Sequence, residues 1–170
     1  YMTKPLIAEK PYPTTEGIAP DCRVLRIISP AYASSTGELN STLQYLYHAV
    51  HFRGRGREEY AELLESVAVA EMLHLKLLAQ TIYALGAPPV YTAFPPAGFN
   101  FYSAKFVAYS RSLKNMLEDD IVAERHAVAS YSRMLEKLKN SRVGEIVARI
   151  LEDEKLHLAA FKKLLCKLTD

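Results

Sequence analysis

The sequence predicts an all-α fold. A four-helix bundle occupies residues 21–170, a long crossover joins its second and third helices, and residues 1–20 form an extended N-terminal arm. Three features predict this. Apolar residues recur at helical spacing in four long segments. Short turns, Gly54-Arg55-Gly56 and Asn140-Ser141, join the first pair and the last pair. The stretch between the pairs is too long for a hairpin turn and suits a connection that carries the chain from one end of a bundle to the other.

The elements follow in order. Residues 1–20 are rich in Pro and Lys and read as an arm; Met2 behind Tyr1 reads as an initiator methionine preceded by a tag remnant. Asp21 is placed to cap a short helix over 22–29. Pro30 is expected to stop it, because proline lacks an amide hydrogen and clashes with the preceding turn. The first bundle helix spans about 35–52, with Leu39, Leu43, Leu46, Tyr47 and Val50 at helical spacing. The second spans about 57–85 and ends at Gly86, a usual C-terminal stop, before Pro88-Pro89. The crossover, 86–110, holds four of the nine prolines and several aromatics, which either line an access route or plug the side of the bundle. The third helix spans about 111–139, and Ser141 can cap the fourth, 142–168.

Composition narrows the function. Apolar residues make up 49% and charged residues 24%, as in a soluble globular domain. The formal charge of +2 carries no basic block, so nucleic acid and acidic membranes are not expected partners. No signal peptide is read, and no apolar run reaches the roughly 18 residues of a membrane span. The two cysteines, Cys22 and Cys166, form no Cys-x-x-Cys, which removes a rubredoxin-type iron centre and a zinc ribbon. They are expected as free thiols in a reducing cytoplasm.

One pattern occurs twice. Glu38, Tyr45 and Glu71-Met72-Leu73-His74 form the first copy; Glu124, Tyr131 and Glu154-Lys155-Leu156-His157 form the second. On a helix, positions i and i+3 share a face, and i+7 returns to it after two turns. Each half thus offers one helix with Glu and Tyr on a stripe and one with Glu and His on a stripe. Glu38 and Glu71 lie at nearly equal sequence distance from the first turn, each roughly 23 Å away at about 1.5 Å per residue. Glu124 and Glu154 are similarly level about the second turn. A single Glu-x-x-His is common on amphipathic helices and is often a surface pair. Two of them, each level with an upstream Glu, match the ligand inventory of a dinuclear carboxylate site in a bundle.

The residue types suit that chemistry. Two divalent ions bring four positive charges into a dry interior, where four carboxylates neutralise them and two neutral imidazoles add no charge. Carboxylate with imidazole, and no Cys ligand, favours manganese or iron over zinc or copper. Without metal, four inward carboxylates raise one another's pKa values. The expected ligands are Glu38, Glu71, His74, Glu124, Glu154 and His157, with Glu154 the carboxylate expected to carry catalysis. Tyr45 and Tyr131 are candidates to hydrogen-bond a ligating carboxylate or histidine, and Asp153 and Asp120 to accept the free N–H of a ligating histidine. The alternative for the tyrosines is ordinary core packing. His48 lies off the ligand stripe and reads as packing or surface. His51 and His126 read as exposed, and Glu118 points about 120° away from Glu124.

These residues resemble ferritin-like di-metal proteins, most closely the manganese catalases and smaller relatives such as spore-coat and clostridial ferritin-like proteins. The resemblance runs from Gly37-Glu38-Leu39 through Tyr45, Tyr47 and Phe52-Arg53-Gly54 to Glu71-Met72-Leu73-His74. Phe99-Asn100-Phe101 and Leu113 to Tyr131 also look alike, and the whole covers residues 20 to 168 or so. It implies Glu38, Glu71, His74, Glu124 and His157 as ligands and Tyr45 as a hydrogen-bond partner of one of them. The chain also departs from the family. Manganese catalases carry a C-terminal extension that embraces neighbouring subunits, whereas this sequence stops with the fourth helix. Some lack a Glu three before the last His, whereas Glu154 is present. A full set of four Glu and two His looks more like bacterioferritin or rubrerythrin sites. Rubrerythrins often add a second Glu on the third helix, where this sequence has Ala127.

The leading expectation is a redox enzyme with two divalent metal ions per chain, manganese or iron, acting on hydrogen peroxide in the manner of a catalase or peroxidase. The alternatives are a ferroxidase or iron-handling protein, an O2-activating oxidase or hydroxylase, and a coat protein with a residual site. The small positive charge and the lack of an acidic run favour peroxide chemistry over iron storage. The arm and crossover offer surface beyond what one bundle needs, so a homo-oligomer is expected, most simply a two-fold dimer.

Overall fold

The computed structural model describes residues 3–95 and 99–168. Tyr1 and Met2, read above as a tag remnant and initiator, lie outside the described residues, as does Pro96 of the crossover. The described chain forms five α-helices: α1 (Cys22–Ala33), α2 (Glu38–Arg53), α3 (Glu58–Ala84), α4 (Leu113–Lys137) and α5 (Arg142–Lys167). The last four are the bundle. Among the described residues no helix is long and apolar enough to cross a membrane.

α1 corrects one expectation. Asp21 caps it, accepting from the amides of Arg23 and Val24, but the helix runs through Pro30 to Ala33. Proline inside a helix costs about 3 kcal/mol. The helix buries Ile28 and Tyr32 almost completely, along with Ala31 and Ala33. Full burial of a large apolar side chain is worth roughly 1.5–3 kcal/mol, so two such residues outweigh the proline.

Gly37 then joins α1 to α2. A Cβ here would lie 2.8 Å from the carbonyl oxygen of Ala31. Only glycine permits this approach, and it places Glu38 at the first position of α2. α2 is much shorter than α3, and α1 fills the half of the bundle that α2 does not reach. Residues of α1 share one apolar cluster with Leu77 to Leu85 of α3, Tyr131 to Leu138 of α4 and Val143 to Leu151 of α5. A second cluster joins Tyr45, Ala49 and Phe52 of α2 to Tyr60 to Ala68 of α3, Met116 to Ile121 of α4, and Phe161 and Leu164 of α5. Between the two clusters, on every bundle helix, lies a polar layer.

Of the apolar stripe that marks α2 in the sequence, Leu39 and Tyr47 pack against the two clusters, but the other three positions face outward. Leu43, Leu46 and Val50 are 37%, 42% and 67% exposed, while Glu38, Gln44, Tyr45, His48, Ala49 and Phe52 point inward. The reason is the polar layer: α2 spends its inward positions on site residues and leaves these three outside.

The crossover runs from the end of α3, in the first cluster, to the start of α4, in the second. It contains a 3-10 turn, Ala104–Phe106, and an isolated bridge between Thr92 and Phe101. It is tied to α2 by Tyr102 donating to Asn40 (2.9 Å) and the Ala108 amide donating to Gln44 (3.1 Å). Residues 3–20 contain no helix and lie along α3 and α5: the Leu6 amide donates to the Ser66 carbonyl, and Arg149 Nε to the Lys10 carbonyl.

Candidate metal centre

The polar layer brings all six expected ligands together. α3 contributes Glu71 and His74, α5 contributes Glu154 and His157, α2 contributes Glu38 and α4 contributes Glu124. All six are buried. Their donor atoms form two overlapping quartets: Glu38, Glu71, His74 and Glu154; and Glu71, Glu124, Glu154 and His157. Within each quartet the atoms lie within 4.8 Å of one another. Glu71 and Glu154 belong to both.

Each imidazole turns one nitrogen inward. His74 Nδ1 is 3.1 Å from Glu154, 3.6 Å from Glu71 and 3.7 Å from Glu38. His157 Nδ1 is 2.8 Å from Glu71 and 3.9 Å from Glu124. These contacts are close but lack hydrogen-bond geometry, so among the described residues both Nδ1 atoms have no hydrogen-bond partner. Neither oxygen of Glu71 has one, nor do Glu124 Oε2 and Glu154 Oε1. A buried polar atom left unpaired costs about 1–3 kcal/mol, more when charged. Apart from Arg149 Nη1, which faces Asp153, the buried unpaired atoms belong to residues of the two quartets, and four carboxylates there match the charge of two divalent cations. The residues therefore fit a pair of metal ions.

Electrostatics of the metal-free cluster follow from the same crowding. Burial, then the neighbouring carboxylates, pushes Glu38, Glu124 and Glu154 well above the usual carboxylate range. Burial also opposes ionisation of Glu71, but the close approach of Glu38 and of the two imidazoles outweighs it and holds Glu71 well below that range. Burial disfavours charge on His74 and His157, and their carboxylate neighbours overcome it, raising both.

The supporting residues fall partly as expected. Tyr45 donates to Glu124 at 2.6 Å, and Tyr131 donates to Glu38. Each tyrosine thus serves the glutamate of the other helix. Asp153 lies 3.0 Å from His74 Nε2, the role foreseen for it. Asp120 is a correction. It pairs with His48 Nδ1 at 2.8 Å and Gln44 Nε2 at 2.8 Å. It sits nearer the start of α4 than Glu124, at the height where antiparallel α2 presents Gln44 and His48. His48 is fully buried, with Nε2 2.8 Å from the Ala108 carbonyl. Glu118 and His126 are exposed, and His51 is half-buried beside the Tyr47 ring.

Several contributors were not foreseen. Arg149 is buried, ion-paired with Asp153 at 2.6 Å and stacked over the Tyr12 ring. Tyr12 donates to Asp153 at 2.6 Å, the Ala8 amide donates to it at 2.7 Å, and the Leu6 carbonyl lies 2.8 Å from His157 Nε2. The i, i+4 spacing of Arg149 and Asp153 was a readable signal. Backbone groups of an irregular arm leave none.

A small cavity, about 40 Å³, opens beside Glu38 and is lined by Gly37, Ser41, His126, Ser130 and Tyr131 among others. It reaches the edge of the cluster from outside the bundle.

Bundle and crossover define a ferritin-like fold, and its buried carboxylate–imidazole layer could hold metal. A profile of the ferritin-like domain matches residues 34–169, and the chain belongs to that family. No curated protein matches the sequence. Among solved structures, the chain is similar to KatB, a manganese catalase from Anabaena, with 21% identity and a TM-score of 0.77 over 96% of this chain and 81% of that one. A bacterioferritin from Desulfovibrio desulfuricans, whose structure describes a diiron site, matches with 22% identity and a TM-score of 0.71 over 85% and 78%. The bacterioferritin BfrA of Mycobacterium tuberculosis matches with 19% identity and a TM-score of 0.70 over 88% and 87%. At these identities the likeness is one of fold.

Proposed function

We propose that this chain is a dinuclear-metal oxidoreductase that decomposes hydrogen peroxide, by catalase-type disproportionation or peroxidase turnover. The observation that carries the reading is the pair of quartets sharing Glu71 and Glu154. Glu38, Glu71, His74 and Glu154 would hold one divalent ion, and Glu71, Glu124, Glu154 and His157 the other. When bound, manganese or iron supplies Lewis acidity and redox chemistry. The chain's own residues do the rest. Tyr45 and Tyr131 orient Glu124 and Glu38, and Asp153 orients His74. Glu154 is the proton-handling group: it stands in both quartets, and its Oε1 has no hydrogen-bond partner among the described residues.

The cavity at Glu38 supports a small substrate. A water-sized molecule needs about 10–15 Å³ by the same measure, so about 40 Å³ is room for a molecule as small as peroxide or O2. The manganese catalase among the structural neighbours is consistent with peroxide chemistry. A second reading, ferroxidase or iron handling, draws on the meeting of four Glu and two His and on the diiron bacterioferritin neighbour. We also infer a homo-oligomer, since Leu43, Leu46 and Val50 leave an apolar stripe outside the bundle; sedimentation at micromolar concentration tests it.

The experiment is direct. Protein loaded with manganese or iron is mixed with peroxide, and oxygen evolution or consumption of an added reductant is followed. Glu154→Gln should lose most of that activity. A protein inert to peroxide that oxidises many ferrous ions per chain into a soluble core is an iron-handling protein instead.

A further inference from the structure

The two kinds of ligand in the cluster are held from different places. Glu38 and Glu124 receive their hydrogen bonds from tyrosines of the bundle itself. Both imidazoles are held through the arm. We infer that residues 6–12 are a strap that positions His74 and His157, so that the arm controls how firmly each metal ion is retained. The inference rests on the metal centre proposed above.

Two separate linkages make the case. On the His157 side, Nε2 donates to the Leu6 carbonyl at 2.8 Å. That fixes the tautomer with Nδ1 free to face Glu71 and Glu124. Leu6 is itself anchored to α3: its amide donates to the Ser66 carbonyl at 3.1 Å, and Ser66 Oγ donates to the Lys4 carbonyl at 2.7 Å. On the His74 side, Nε2 donates to Asp153 at 3.0 Å. Asp153 is held by the Ala8 amide, the Tyr12 hydroxyl and Arg149. Arg149 returns to the arm, donating from Nε to the Lys10 carbonyl at 2.8 Å and from Nη2 to the Ala8 carbonyl at 3.0 Å. The Tyr12 ring also meets the His74 ring edge-on, with centroids 5.9 Å apart.

The geometry makes the two linkages separable. Tyr12 acts on His74, which belongs to one quartet only, and Leu6 acts on His157, which belongs to the other. Loss of a partner behind a ligating histidine typically weakens metal binding by about 10–100-fold. A defect in one linkage should therefore release one ion and spare its neighbour, which a general loosening of the fold would not do.

The test uses full-length protein loaded with manganese(II), with release into excess chelator followed by electron paramagnetic resonance well below the melting temperature. Tyr12→Phe keeps the ring and removes only the hydroxyl. It should speed release of one ion by about 10-fold and leave the other at the wild-type rate. Ser66→Ala should speed release of the other ion by a smaller factor. If Tyr12→Phe releases both ions at the wild-type rate, or speeds both equally, the strap does not position the imidazoles. A wild-type protein that takes up no manganese(II) removes the metal centre itself, and the strap's role with it.

Discussion

Tyr45 of α2 donates its hydroxyl hydrogen to Glu124 of α4 across 2.6 Å, although the glutamate two turns away on its own helix is Glu38. Tyr131 of α4 returns the same bond to Glu38. Such reciprocity requires α2 and α4 to run antiparallel, so that seven residues up one helix meets seven residues down the other. It ties the two helices that no short loop connects. Tyr45→Phe should leave Glu124 with an unmet acceptor and lower stability by about 1–3 kcal/mol, with Tyr131→Phe similar. Thermal melts of the metal-free variants check it, and an unchanged midpoint in both would contradict it.

Gly37 sets the start of α2. A methyl group there would collide with the backbone oxygens of Ala31 and Tyr32, which cannot move as a flexible side chain can. Gly37→Ala should destabilise the protein by about 1–3 kcal/mol and displace Glu38. Metal content and melting temperature should fall together. A variant as stable as the parent would show that α1 and α2 do not need this close approach.

The metal-free protein should weaken as pH rises. Glu38, Glu124 and Glu154 are held above their unfolded values, and so are His74 and His157. The native state therefore keeps protons that the unfolded chain has released. Stability from these groups is fully present below the unfolded values, about 4.3 for Glu and 6.5 for His, and is lost as pH climbs through the raised native ones. Glu71 and Asp153 are depressed and act oppositely, weakening the fold only toward acid. Bound metal takes the place of the protons. The gap in melting temperature between loaded and metal-free protein should therefore widen from neutral to alkaline pH. Parallel curves would mean that the carboxylates are not coupled.

Access can be tested apart from binding. Ser130 lines the cavity beside Glu38 and is half-buried on α4. Ser130→Leu should fill the opening, lower kcat/KM for peroxide about 10-fold or more, since each factor of ten is about 1.4 kcal/mol, and leave metal content unchanged. Full activity would place the route elsewhere.

The bundle and its six-residue cluster were legible because helical spacing and repetition leave marks in a sequence. Glu38 and Tyr45 lie two turns apart, as do Glu124 and Tyr131, and each Glu-x-x-His is one turn. Other features were hidden by competing physics. Periodicity located α2 but also picked out the outward Leu43, Leu46 and Val50, because buried polar residues replace much of the apolar signal on its inner face. Pro30 suggested a stop, but burial of Ile28 and Tyr32 carried α1 past it. Asp120 lies one turn before Glu124 on α4, and antiparallel packing delivers it to His48. The arm's contribution comes from the Leu6 carbonyl and the Ala8 amide, and backbone groups carry no residue signature.

The central claim is that the overlapping quartets hold a pair of metal ions. Elemental analysis of purified protein, beside the His74→Ala, His157→Ala double variant, tests it most directly. The wild-type chain should carry about two manganese or iron ions, as bundle-core carboxylate sites do, and the folded double variant should retain few. Equal metal content in the two proteins, or a wild-type chain that binds none after loading, would contradict the account.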